Sequence, residues 1–141
     1  MSLVPRHHRF VPAAEWTHPG QVRGLRGERA ALAYLTACGW SLEAHRFRCG
    51  RHDVDLVVRR GGLVAFVEVK TRRALGCGTP LESIGWRKRR AIARAAQLWR
   101  LRYGRRHDVY RFDLVAVVEE AGGRLAVEHL PDAWRLESGV L

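Results

Sequence analysis

DVDLVVRRGGLVAFVEVK, residues 53–70, sets two apolar runs on either side of Gly61-Gly62 and places Asp53, Asp55, Glu68 and Lys70 in stretches that otherwise have the composition of buried strands. β-Branched and aromatic residues flanking a Gly-Gly pair predict a β-hairpin with a two-residue loop, because glycine supplies the positive φ that such a turn needs. With Gly61 and Gly62 as the loop, Arg60 faces Leu63, and counting outward puts Asp55 opposite Glu68 and Asp53 opposite Lys70, all four on one face. A three-residue loop would bring Val67 rather than Glu68 opposite Asp55, so the loop length decides the reading.

Directly opposed side chains stand with their Cβ atoms ~5 Å apart, so Asp55 and Glu68 are like charges held together unless a cation lies between them. A divalent ion with hard oxygen preferences, Mg²⁺ or Mn²⁺, suits two carboxylates converging at a strand edge, since such ions keep several waters and take further ligands from phosphate. Lysine usage points to the same place. Of 25 basic residues only Lys70 and Lys88 are lysine, and a compact ammonium can approach one phosphoryl oxygen or a water where the bulkier guanidinium does not. The structural alternative is a set of ion pairs, Asp53 with Lys70 across the strands, and Asp55 and Glu68 with arginines from elsewhere.

The whole chain supports an anionic partner. Its 141 residues fit one domain, and 25 Lys and Arg against 14 Asp and Glu give a formal charge of +11, an excess that usually serves nucleic acid. No apolar run approaches the ~20 residues of a membrane span, and the stretch MSLVPRHHRF lacks the apolar core of a signal peptide, so a cytoplasmic protein without a membrane partner is expected. Cys38, Cys49 and Cys77 form no C-x-x-C pair and read as reduced thiols. His45, Cys49 and His52 match no common zinc spacing.

Outward from the hairpin, residues 1–22 read as a flexible basic arm, 23–136 as a single domain and 137–141 as a tail. A helix is predicted over 25–38, with Glu28, Ala31, Leu32 and Leu35 on one face and Gly39 at its end. A short strand follows over 41–47. After the glycine-rich loop 76–80, a long helix is predicted over 82–103, with Ile84, Lys88, Ile92, Ala95 and Leu98 facing inward and Arg87, Arg90 and Arg94 in a stripe beside them. Strands over 110–118 and 124–130 complete the order α-β-β-β-α-β-β, an α/β (α+β) arrangement of helices on a mixed sheet. Arg72, Arg73, Arg87, Lys88, Arg90 and Arg94 are the expected contacts to a DNA backbone. The tryptophans read as core or rim packing, with Trp86 beside Arg87 the one open to base stacking. Asp113 reads as a buried structural aspartate.

Taken together, G-E-R-A-A at 27–31, D-V-D-L at 53–56, F-V-E-V-K-T-R at 66–72, K-R-R at 88–90, R-F-D-L-V at 111–115 and H-L-P-D-A-W at 129–134 resemble the YraN-like bacterial proteins. These fall within the restriction-endonuclease-like PD-(D/E)-x-K superfamily, close to archaeal Holliday junction resolvases. The resemblance implies a restriction-endonuclease-like fold and a metal-dependent DNA endonuclease selective for branched DNA, with Asp55 and Glu68 on Mg²⁺ or Mn²⁺, Lys70 as the catalytic lysine and Glu28 as the helical acidic residue. Resolvase-like relatives act as dimers, which implies a homodimer here. The family usually shows Gly-Glu-Ile-Asp-Leu where this chain has His52-Asp53-Val54-Asp55-Leu56, so a shorter carboxylate stands at 53, at the metal or one water away from it. The competing reading is a nucleic-acid-binding protein on a nuclease fold without chemistry. Glu28 is the sharpest expectation: a functional Glu28 reaches the pocket of Asp55, Glu68 and Lys70, whereas one serving only the helix dipole points to solvent.

Overall fold

The computed structural model describes residues 22–74 and 79–136. Helix α1 (Val22–Ala37) is followed by strands β1 (Ser41–Cys49), β2 (His52–Arg60) and β3 (Leu63–Arg73), a 3-10 turn (Leu81–Ser83), helix α2 (Trp86–Tyr103), and strands β4 (Val109–Glu119) and β5 (Leu125–Trp134). The five strands form one sheet in chain order. β3 and β4 run parallel, as a crossover through α2 allows, and the other neighbours are antiparallel. This is the predicted α-β-β-β-α-β-β order, and a mixed sheet between two helices is consistent with a restriction-endonuclease-like fold.

The hairpin forms in the predicted register. Arg60 pairs with Leu63 and Leu56 with Val67, so the loop holds two residues. Of these Gly61 takes the positive φ, 60°, the pattern of a type II′ turn. The runs on either side are apolar throughout because both faces of β2 and β3 are covered. Leu56, Val58, Ala65 and Val67 pack under α1 against Leu25, Ala31, Leu35 and Trp40. Val57, Val64 and Phe66 pack under α2 against Ile92, Ala95, Ala96 and Trp99.

Two glycines set the height and end of α1. At its C-terminus Gly39 has φ 91°, and the Gly39 and Trp40 amides donate to Thr36 O and Leu35 O, each at 3.0 Å, a Schellman stop that turns Trp40 back onto Leu35. Near its start, Gly27 lies so close to β3 that a Cβ there would overlap Thr71 Oγ1 and stand 3.2 Å from Thr71 Cβ. That close approach brings the next residue, Glu28, down onto the sheet.

The structure differs from the sequence reading in several places. The second helix begins at Trp86, not at 82. Thr79 and Glu82 exchange capping-box bonds, Thr79 N to Glu82 Oε2 at 3.0 Å and Glu82 N to Thr79 Oγ1 at 3.3 Å. They close only a 3-10 turn, because Ile84 is extended (φ −103°, ψ 92°) and drops into the core before the helix starts. β1 runs on to Cys49, beyond the predicted 47, and β5 to Trp134 beyond 130, the latter across a register shift at which Asp132 takes φ 49°. Val22, assigned to the basic arm, already belongs to α1. The rest of that arm, the tail 137–141 and loop residues 76–78 lie outside the described residues. Among the described residues no helix is long and apolar enough to cross a membrane.

Candidate active site

The β2–β3 ladder ends at Leu56–Val67, and just beyond it Asp55 Oδ2 accepts the Val69 N–H at 2.8 Å. A carboxylate thus takes the place of a ladder carbonyl where the two strands part. Val54 and Val57 both join the core under α2, so the alternation of side chains is interrupted at Asp55. The expectation that Asp53, Asp55, Glu68 and Lys70 share one face is therefore corrected: Glu68 and Lys70 face α2, while Asp55 sits at the break and reaches both sides of the sheet edge. Asp53 lies half-buried in β2, paired with Arg48 of β1.

Glu68 is the centre of the arrangement. It is 4 % exposed, and its Oε1 stands 3.6 Å from the Nζ of Lys70 and 3.6 Å from the Nζ of Lys88. The chain's two lysines, on different elements, converge on one buried carboxylate oxygen. The other oxygen, Oε2, is buried with no hydrogen-bond donor within reach among the described residues, and Asp55 is its acidic neighbour. Lys70 pairs within its own strand, and among the described residues the Asp53–Lys70 ion pair of the structural alternative does not form.

Burial pushes the Asp55 carboxyl well above the usual carboxylate range, and the neighbouring charge of Glu68 adds to it, against the pull of the Val69 N–H. Burial also raises Glu68, with Lys88, then Lys70, then its contact with Asp55 drawing it back. Two adjacent acids, Glu68 buried and Asp55 half-buried, that cannot both ionise comfortably hold a proton between them, or a cation.

Glu28 lies on the other side of this break, 3 % exposed. With Gly24, Arg46, Asp55, Val69 and Thr71 it lines a pocket of about 220 Å³. It therefore meets Asp55, and it reaches the Glu68–Lys70 side only across Asp55. Its carboxylate is held by Arg46, Nε to Oε1 at 3.0 Å and Nη2 to Oε2 at 2.8 Å, and His45 Nε2 stands 3.4 Å from Oε1. Burial alone would raise its pKa, but His45 and Arg46 outweigh it and hold the acid below its ordinary value. Arg46 reaches Glu28 from a left-handed backbone, φ 50°, which the sequence does not announce in a non-glycine residue. Sequence reasoning missed His45 and Arg46 for that reason. It placed Lys88 among DNA contacts, and the lysine count was the signal that it also belongs at Glu68.

The residues fit a hard divalent ion. Asp55 and Glu68 supply oxygen donors, and the buried Oε2, without a hydrogen-bond donor among the described residues, offers an open ligand position. Among the described residues no three of His, Cys, Asp and Glu converge to hold an ion by themselves. An ion held here would fill its remaining positions with water and phosphate oxygen, as Mg²⁺ does.

Beside the site, Arg87, Arg90 and Arg94 form the predicted stripe on the outer flank of α2, all exposed. They line, with His52, Trp86 and Ala91, a second pocket of about 230 Å³. Trp86 is 63 % exposed, unlike Trp40, Trp99 and Trp134, which are buried as expected. Arg72 is half-buried and Arg73 exposed at the end of β3. Asp113 is structural: Arg111 donates to both its oxygens at 2.7 and 2.8 Å, His129 Nε2 is 2.7 Å away, and the Asp132 N–H at the β5 irregularity donates at 3.0 Å.

Residues 27–117, which carry Glu28, Asp55, Glu68, Lys70 and Lys88, match the model of a family described as "Uncharacterised protein family UPF0102". A UPF0102 protein of Geobacter sulfurreducens is 36 % identical over 126 residues, covering 89 % of this chain and 98 % of the relative. One of Nocardia farcinica is 40 % identical over 110 residues, covering 78 % and 87 %. One of an Anaeromyxobacter species is 42 % identical over 108 residues, covering 76 % and 81 %. The chain belongs to the UPF0102 family, the YraN-like proteins that its motifs resemble.

Proposed function

We propose that this protein is a metal-dependent endonuclease that hydrolyses phosphodiester bonds in DNA, with branched DNA as its preferred substrate. The observation that carries the reading is Glu68: a buried carboxylate with both lysines of the chain beside one oxygen, no hydrogen-bond donor on the other among the described residues, and a second acid, Asp55, next to it. A fold stabilised by ion pairs has no need of two adjacent acids that resist ionisation. A site for a cation and a phosphate does.

Asp55 and Glu68 would hold Mg²⁺ or Mn²⁺, and such an ion supplies charge neutralisation at the phosphate and lowers the pKa of a bound water. The Val69 N–H fixes the Asp55 carboxylate in its rotamer. Lys70, a third exposed at its side chain, orients the attacking water or stabilises the developing oxyanion. Lys88, 41 % exposed at its side chain and anchored to the same oxygen, meets the phosphate from the helix side. Arg87, Arg90 and Arg94 position the backbone without reading sequence.

The test is cleavage of four-way junction, flap and single-stranded DNA with Mn²⁺ by the parent and by Asp55→Ala, Glu68→Ala and Lys70→Ala. The parent cleaves or nicks at least one substrate and the three variants, still folded, do not. Full activity in all three variants, or no activity in the parent on any of these substrates, overturns the enzyme reading and leaves a DNA-binding protein on a nuclease fold.

A further inference from the structure

Trp86 opens α2 with most of its ring in water. Its Arg87 and Arg90 neighbours bring their guanidinium carbons to 5.5 and 5.7 Å from the ring centroid. A lone exposed aromatic is ordinary, but this one has three properties together. It forms one wall of the Arg87–Arg90–Arg94 pocket. Among the described residues no carboxylate stands within ion-pair distance of those three arginines. And among the described residues no other large apolar side chain is exposed near it: Leu101, the next along α2 at 74 % exposed, is fifteen residues away, about 22 Å along the axis.

These properties choose among partners. A membrane or a protein hot spot wants a contiguous apolar patch, which is missing here. An acidic peptide would use the arginines and leave the ring idle. A ligand that is both anionic and flat uses all of it: phosphates on the arginines and a base on the indole face. Inside a duplex both faces of a base are covered by its stacked neighbours, so the ligand is an unpaired, unstacked nucleotide.

The pocket also lies at a useful distance from the site. His52 lines it, and Asp55 follows three residues along β2, about 10 Å, the length of about three stacked nucleotides. Resting on the nuclease reading above, we propose that Trp86 is a stacking platform for an unpaired base of the bound strand, within a few nucleotides of the scissile phosphate. The substrate class is then DNA with unpaired nucleotides next to the cleavage point.

The experiment is equilibrium binding in EDTA at fixed salt, so that no cleavage is involved, and a failure of the nuclease reading does not disturb it. The probes are a short thymidine oligonucleotide, an abasic oligonucleotide of the same length, polyglutamate, and phosphatidylglycerol vesicles. Trp86→Ala, at an exposed position that leaves the core intact, should weaken the thymidine strand roughly five- to a hundredfold, leave the abasic strand within about twofold, and so bring the two affinities together. Trp86→Phe should recover most of the loss. Equal losses on both strands, or no loss on either, overturn the platform. So does a variant whose principal loss is binding to the vesicles or to polyglutamate.

Discussion

Asp55→Asn separates a cation site from a structural ion pair through stability alone. Asn keeps an oxygen for the Val69 N–H, now at 2.8 Å, and its amide can donate to the bare Glu68 Oε2. What it removes is the charge of a second carboxylate beside the first. Two unit charges ~5 Å apart repel by about 3 kcal/mol at an effective dielectric of about 20. Part of this is already relieved by proton uptake on Asp55, and the variant also gives up some attraction from Lys88. The expected gain for the metal-free protein is therefore about 2 kcal/mol, a rise in Tm on the order of 6 °C for a chain of this size. Urea unfolding and thermal melting in EDTA at neutral pH measure it directly. If Asp55 were a structural acceptor paired to arginine, the same change would lower stability, and a loss of about 1 kcal/mol or more would refute the reasoning.

Three other outcomes follow from the geometry. Gly27→Ala forces α1 away from Thr71; overpacking of this kind costs about 1–3 kcal/mol, and cleavage should fall with it because Glu28 is lifted from the sheet edge, as melting and a nicking assay would show. Asp113→Ala strands Arg111 and His129 and should cost about 3–5 kcal/mol at neutral pH. The Asp113 pKa is held low, burial being outweighed by His129, Arg111 and the Asp132 N–H, so its contribution is present above about pH 4 and is lost as pH falls through the lowered value; the gap between parent and variant in urea midpoints should narrow below that pH. Replacing Arg87, Arg90 and Arg94 together with Gln should weaken DNA of any sequence alike and flatten the log–log salt dependence by about 2 to 3 units; an unchanged slope in a salt titration would remove the stripe from the interface.

The hairpin was legible because its register is a local matter: Gly61-Gly62 fixes the loop, and a period of two does the rest. Lys70 was legible because lysine is rare in a chain that otherwise uses arginine; Lys88, read as a DNA contact, reaches the same Glu68 oxygen from α2 through the tertiary fold. The start of α2 was misread because a Thr-x-x-Glu capping box stabilises one turn as readily as a helix, and only the burial of Ile84 decides which. The hold of Arg46 on Glu28 depends on a left-handed backbone inside a strand, which no local signal in the sequence announces. Trp86, read beside Arg87 as the one tryptophan open to base stacking, is the exposed one among Trp40, Trp86, Trp99 and Trp134.

The central claim is that Asp55 and Glu68 form a cation site at the parting of β2 and β3, and calorimetric titration with Mn²⁺ addresses it most directly. The account predicts one site in the parent, with affinity lowered roughly tenfold or more, about 1.4 kcal/mol, in Glu68→Gln, and unchanged in Asp113→Asn, whose carboxylate faces only protein donors. Equal Mn²⁺ affinity in the parent and Glu68→Gln, or no binding in the parent at all, would contradict it.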